Sequence, residues 1–134
     1  GATLYVPFTA LGMHSGMAAT WLLPEVVGLP VARELLFTGR RVDAAESLRI
    51  GLVNGVFEPE ELLSGALGVA RQIATNGPVA MRLTSAALRN GGHSSLDAAL
   101  AYESLAQPIT FASVDILEGI AAAKERRTPN FTGR

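Results

Sequence analysis

The side chains best suited to chemistry are two histidines, a cluster of glutamates and a short basic cluster near the end. His14 sits inside Gly12-Met13-His14-Ser15-Gly16, a glycine-bracketed loop, where a neutral imidazole could accept a proton near neutral pH. No Asp or Glu stands beside it in sequence to orient the ring, so a plain loop histidine is the competing reading. His93 is far along the chain and neither histidine has a carboxylate at ligand spacing, so no metal site is expected. Glu58, Glu60 and Glu61 could supply a carboxylate pair, but they gather at a helix start, where acids complement the positive end of the dipole and face water. Lys124, Arg126 and Arg127 complement the opposite, negative end of the last helix and could also meet an anion. A Walker loop and a dinucleotide Gly-x-Gly-x-x-Gly are both missing.

Composition narrows the classes further. The 134 residues have the length of one ordinary domain, and 49% of them are hydrophobic against 17% charged, apolar for a chain of this size. Some of that apolar surface is expected to meet another chain or segment. A net charge of -1 gives no electrostatic footprint for nucleic acid or an anionic membrane. The run from Met17 to Leu23 is too short for a membrane span of about 20 residues. The absence of cysteine excludes disulfides and fits a reducing cytoplasm. The chain opens Gly1-Ala2-Thr3-Leu4, read as a tag remnant or as the start of a fragment.

The elements that must position these groups are mostly helical, with one or two short strands. Leu4-Tyr5-Val6 reads as a strand closed by Pro7. Ser15 is a plausible cap for a helix over Gly16 to Leu23, which Pro24 disturbs or ends. Pro30 suits the first turn of a helix reaching about Phe37, with Gly39 just past its end. Asp43-Ala44-Ala45-Glu46 has capping-box spacing and starts a short helix stopping at Gly51. Leu52 to Phe57 is read as an edge strand. Pro59 opens a long helix carrying Leu62, Leu63, Ala66, Leu67, Val69, Ala70 and Ile73 at helical spacing until Asn76-Gly77-Pro78. Further helices run from Pro78 to about Arg89, stopped by Asn90-Gly91-Gly92, and from Ser95 to about Gln107, with a break or kink at Pro108. The last begins near Ser113 and ends in the basic cluster, ahead of a tail from Thr128 to Arg134.

Several words stand in register along this chain. They are Pro7-Phe8-Thr9-Ala10-Leu11-Gly12-Met13-His14, Leu22-Leu23-Pro24-Glu25-Val26-Val27-Gly28, and Ala32-Arg33-Glu34-Leu35-Leu36-Phe37-Thr38-Gly39-Arg40. After these come Val42-Asp43-Ala44-Ala45-Glu46, Ile50-Gly51-Leu52-Val53-Asn54, Pro78-Val79-Ala80-Met81-Arg82 and Glu125-Arg126-Arg127-Thr128-Pro129-Asn130-Phe131. Any one word is cheap by chance, but their order and spacing cover nearly the whole chain. Together they resemble the C-terminal half of the crotonase superfamily, the enoyl-CoA hydratase/isomerase family.

The resemblance implies the C-terminal part of the crotonase α/β fold, a ββα spiral, with a core piece over residues 1–57 and a helical trimerisation region over 58–134. It implies an acyl-CoA thioester as substrate, of the kind met in fatty acid metabolism, no cofactor beyond the coenzyme A moiety, and a homotrimer or hexamer. In this family two backbone N–H groups hold the thioester carbonyl, and both donors precede the stretch that this chain matches. Hydratases carry a glutamate directly after the proline matching Pro7, and that position is Phe8. Isomerases carry one four residues beyond the pair matching Leu11-Gly12, and that position is Gly16. Neither residue moves a proton, so no catalytic residue is expected in the isolated chain. Phe8, Leu11, Gly12, His14 and Gly16 fall on substrate-binding positions. Arg126 falls on a basic position near the coenzyme A phosphates, whereas the aromatic position for the adenine is Ala123. A non-catalytic acyl-CoA-binding or oligomerisation module is the alternative.

Overall fold

The computed structural model describes residues 1–89 and 95–134, so the helix stop expected at Asn90-Gly91-Gly92 and the side chain of His93 lie outside the described residues. The described chain is mainly helical with one two-stranded antiparallel sheet, and it divides into two units, Gly1–Leu62 and Leu63–Arg134.

In the first unit β1 (Thr3–Leu4) pairs with β2 (Val42–Asp43), Thr3 opposite Asp43 and Leu4 opposite Val42. Between them lie a 3-10 turn (Thr9–Leu11) and the helices α1 (Ala19–Val27) and α2 (Leu29–Thr38), which pack on each other; α3 (Ala44–Arg49) follows β2 directly. Gly28 serves both α1 and α2. Its N–H bonds to the Pro24 carbonyl at 2.9 Å and its carbonyl accepts from Ala32 at 3.0 Å, while a φ of 77° turns the chain between the helices. Asp43 caps α3 as its spacing predicts, accepting from the Glu46 N–H at 2.8 Å. The core of this unit is Ala32, Leu35, Leu36 and Val42, all buried.

Three expectations need correction here. The first strand covers Thr3–Leu4 instead of Leu4 to Val6, because Leu4 already faces Val42, the first residue of β2, and no strand residue stands opposite Tyr5 or Val6. Leu52 to Phe57 forms no strand: the amides of Leu52 and Val53 bond to the Ser47 carbonyl at 2.8 and 3.3 Å, so they are spent on the end of α3. The helix expected over Gly16 to Leu23 with a Ser15 cap is α1, displaced toward the C-terminus and entered through Ala18 in the left-handed region. Pro24 lies inside α1 without ending it, since a proline removes one ladder bond and the flanking ones persist.

The second unit holds α4 (Leu62–Ala74), which opens at the boundary, α5 (Pro78–Arg89), α6 (Leu96–Phe111) and α7 (Val114–Glu125). Ser95 caps α6, accepting from Ala98 N–H at 3.1 Å, and Pro108 is again carried within the helix, past the expected end at Gln107. Packing joins α5 to α6 and α6 to α7. The tail then folds back on α7. The Val114 N–H reaches the Arg134 carbonyl at 2.7 Å, and the Phe131 ring lies so near Gly119 that a methyl there would stand 3.4 Å from it.

Much apolar surface is left uncovered. A compact chain of this mass exposes about 6,700 Å², and two separate bodies of half the mass about 8,100 Å² together. The exposed area is 9861 Å². Leu63, Leu67, Val69 and Ile73 of α4 are all exposed despite their helical periodicity, as are Trp21, Leu22 and Val26 of α1.

Candidate functional site

The loop from Pro7 to Ala18 carries five of the six candidate binding positions. Phe8 has helical dihedrals, and its carbonyl accepts from both Leu11 (3.0 Å) and Met13 (2.9 Å), which coils the chain into a tight turn. The Thr9 hydroxyl donates to the Leu36 carbonyl at 2.7 Å and ties the turn to the last turn of α2. Gly39, in the left-handed region at φ 59°, lets that helix end pass close to Pro7. Gly12 closes the turn at φ 72°. The chain then returns, and the Phe8 ring covers Gly16: a β-carbon on Gly16 would stand 3.8 and 3.9 Å from two ring carbons.

The structure therefore brings Phe8 and Gly16, eight residues apart, into one half-buried apolar contact. Leu11, Gly12 and His14 lie exposed on the loop around it. His14 has no hydrogen-bonded carboxylate among the described residues, so nothing fixes its ring for proton transfer. An aromatic ring over a glycine supplies shape and dryness and no titratable group. Two residues that the sequence reading passed over complete the loop: Met17 and Ala18 hold φ values of 57° and 55°, where only glycine is unstrained.

A separate apolar cleft of 240 Å³ opens in the same unit, lined by Leu4, Tyr5, Leu23, Leu35, Arg40 and Val42 among others. Its one charge is bound internally. Arg40 donates to Glu34 at 2.6 Å and to both oxygens of Glu46 at 2.8 and 2.9 Å. The hydrogen bonds to Glu46 and then Glu34 push the guanidinium pKa further up, and the bond from Arg40 holds Glu46 below its usual value. This network was invisible to sequence reasoning, because Glu34 lies in α2 and Glu46 in α3, and only the path of the chain between those helices brings both to Arg40.

At the end of α7 the basic cluster splits. Arg127 is consumed: its Nε meets Glu125 and its two terminal nitrogens meet Glu118 at 2.6 and 2.9 Å. Arg126 caps α7 in the left-handed region, exposed, and its side chain and that of Lys124 have no ion-pair partner among the described residues. The nearby carboxylates are equally committed. Asp115 accepts from the Thr132 and Gly133 amides at 2.7 and 2.9 Å, which hold its pKa below the usual range despite burial. Glu118 is lowered to about 2, first by Arg127 and then by the Asn130 amide at 2.7 Å. These groups pin the tail and offer no free acid or base. A 160 Å³ cleft beside them is lined by Gly77, Val79, Thr110, Ile116 and Phe131 among others.

Among the described residues no group of three or more potential ligands could hold a metal ion, and no helix is long and apolar enough to cross a membrane.

The family model for enoyl-CoA hydratase/isomerase matches residues 1–134. The chain is 39% identical over 128 residues to a crotonyl-CoA hydratase of Syntrophomonas wolfei, covering 96% of this chain and 49% of that protein. It is 40% identical to a short-chain-enoyl-CoA hydratase of Clostridium acetobutylicum, covering 90% of this chain and 46% of that one. The crystal structure of an enoyl-CoA hydratase from Bacillus anthracis superposes on the whole chain with a TM-score of 0.95 and 38% identity, and the match covers 52% of that structure. This chain thus spans about half the length of the relatives it matches. Those coverages give the share of each relative that is matched and not which half of it. What they do establish, together with the register of words from Pro7 to Phe131, is that the chain belongs to the enoyl-CoA hydratase/isomerase family of the crotonase superfamily.

Proposed function

We propose that this chain forms one half of an acyl-CoA-handling protein and does not catalyse by itself. The observation that carries the reading is the Phe8 ring lying over Gly16, which makes both candidate acid positions apolar at one point in space. On this reading Phe8, Leu11, Gly12, His14 and Gly16 belong to the acyl side of the site and Arg126 to the side of the coenzyme A phosphates. Arg126 is the better cation for that role because Arg127 is already neutralised by Glu118 and Glu125. The thioester carbonyl then depends on N–H donors outside this chain, and the whole protein would work in the cytoplasm without a further cofactor. The test is hydration and double-bond isomerisation of crotonyl-CoA by the 134-residue chain, and by the same chain fused to the part of the Bacillus anthracis relative that it does not cover. The short chain should be silent and the fusion should bind and turn over the thioester. Turnover by the short chain, or no binding of crotonyl-CoA by the fusion, refutes the reading.

The uncovered apolar faces favour a second reading, an assembly module that forms a trimer or hexamer without chemistry. Sedimentation separates the two, since an inactive fusion that still forms a stable homo-oligomer supports the module.

A further inference from the structure

Glycine follows asparagine three times in this chain, at Asn54-Gly55, Asn76-Gly77 and Asn90-Gly91, the last outside the described residues. An asparagine so placed can lose its amide without a catalyst. The backbone nitrogen of the glycine gives up its proton and attacks the side-chain Cγ; the new C–N bond closes a cyclic imide, and the former side-chain nitrogen leaves as ammonia. Water then opens either imide carbonyl, giving aspartate or isoaspartate. Closure needs a side-chain amide free to rotate onto the next nitrogen and a backbone free to bring that nitrogen in, which glycine permits.

Hydrogen bonding separates the two described pairs. Asn54 and Gly55 lie in the irregular stretch between α3 and α4. The amides of Leu52 and Val53 are still spent on the Ser47 carbonyl, but among the described residues neither the backbone nor the side chain of Asn54 or Gly55 has a hydrogen-bond partner. Asn76 is held on every side. Its side-chain nitrogen donates to the Gln72 and Ile73 carbonyls at 3.3 and 3.2 Å, and its backbone N–H donates to Ile73 at 3.1 Å. The Gly77 carbonyl accepts from Met81 at 2.9 Å, which fixes that glycine at the start of α5. Exposure does not distinguish the pairs, since both asparagines are exposed.

We propose that Asn54 is a site of spontaneous deamidation and isoaspartate formation in this chain, and that Asn76 is held back from the same reaction by its hydrogen bonds. The product adds a carboxylate, and in isoaspartate a longer backbone, just ahead of the acidic stretch Glu58, Glu60 and Glu61. The test incubates the 134-residue chain in mildly alkaline buffer, folded and in guanidinium chloride. Trypsin then puts Asn54, between Arg49 and Arg71, and Asn76, between Arg71 and Arg82, on separate peptides, whose mass gain from amide to carboxylate is followed over time. In the folded chain Asn54 should react about tenfold faster than Asn76, the ratio given by about 1.4 kcal/mol of hydrogen bonding broken only at Asn76. In denaturant the two rates should converge. Asn54→Gln, whose imide would need a larger ring, should abolish the gain on its peptide. Equal rates in the folded chain, or faster reaction at Asn76, overturn the proposal. A ratio that denaturant leaves unchanged assigns the difference to neighbours in sequence and overturns it as well.

Discussion

Two glycines should respond to the same substitution with opposite signs. Gly39 stands at φ 59°, and a β-carbon there would lie 3.4 Å from the Pro7 Cα and 3.6 Å from the Val6 carbonyl oxygen. Left-handed geometry costs alanine about 1–2 kcal/mol. Reduced freedom of the unfolded chain returns about 0.4–1 kcal/mol. The Pro7 contact is backbone and cannot swing aside, so it adds a few tenths, and Gly39→Ala should destabilise the first unit by about 1 kcal/mol. Gly68 lies inside α4 with open space where its β-carbon would be, so Gly68→Ala should stabilise by about 0.8–1 kcal/mol. Urea unfolding followed by Trp21, the only tryptophan and part of the first unit, reads Gly39; helical circular dichroism reads Gly68. With a slope of about 2 kcal/mol per M, the midpoints should move about 0.5 M in opposite directions. A Gly39→Ala protein as stable as its parent would refute the claim that this position sets the approach of α2 to the Phe8 turn.

Leu35→Ala should cost about 3 kcal/mol, because the side chain is 3% exposed in a core of few residues, whereas Leu88→Ala at 63% exposure should stay within about 0.5 kcal/mol in the same urea titration. Asp43→Ala loses the cap on the Glu46 amide and should cost about 1 kcal/mol, read as a lower midpoint by Trp21 fluorescence. Acid should release the tail. Glu118 falls from 4.5 to about 2 on folding and Asp115 is lowered too, so their contribution is complete above the unfolded carboxylate range and vanishes as pH falls toward 2. Protection factors of the Asn130, Thr132 and Gly133 amides should therefore drop between pH 5 and 2 ahead of those in α5; tail protection that persists at pH 2 would count against the clamp.

Local signals were legible in the sequence because their partners are local. Pro30 and Gly39 bracket α2, Asp43 caps α3 and Ser95 caps α6, all within a few residues. Leu52 to Phe57 looked like a strand because composition records apolarity and turn flanks, and says nothing of whether a neighbouring strand exists. The prolines misled in the other direction: Pro24 and Pro108 sit inside helices that bear the loss of one bond. At the candidate site the residue types at 8 and 16 were readable, but the contact between ring and glycine depends on the turn that Phe8 nucleates. The commitment of Arg127 was hidden because Glu118 lies nine residues back and is reached only after the chain leaves α7.

The reach of these contacts also bears on the order in which the two units acquire structure. The clamp on α7 closes within separations of nine to eighteen residues, from Arg127 on Glu118 to Gly133 on Asp115. In the first unit, Thr3 must find Arg41 across 38 residues, and Thr9 must find Leu36 across 27, before the little sheet and the Phe8 turn exist. Loop closure over the longer span is entropically dearer and slower. A chain refolding from denaturant would thus hold its apolar Phe8 loop open until late, while α7, capped by Arg126, is already tied down.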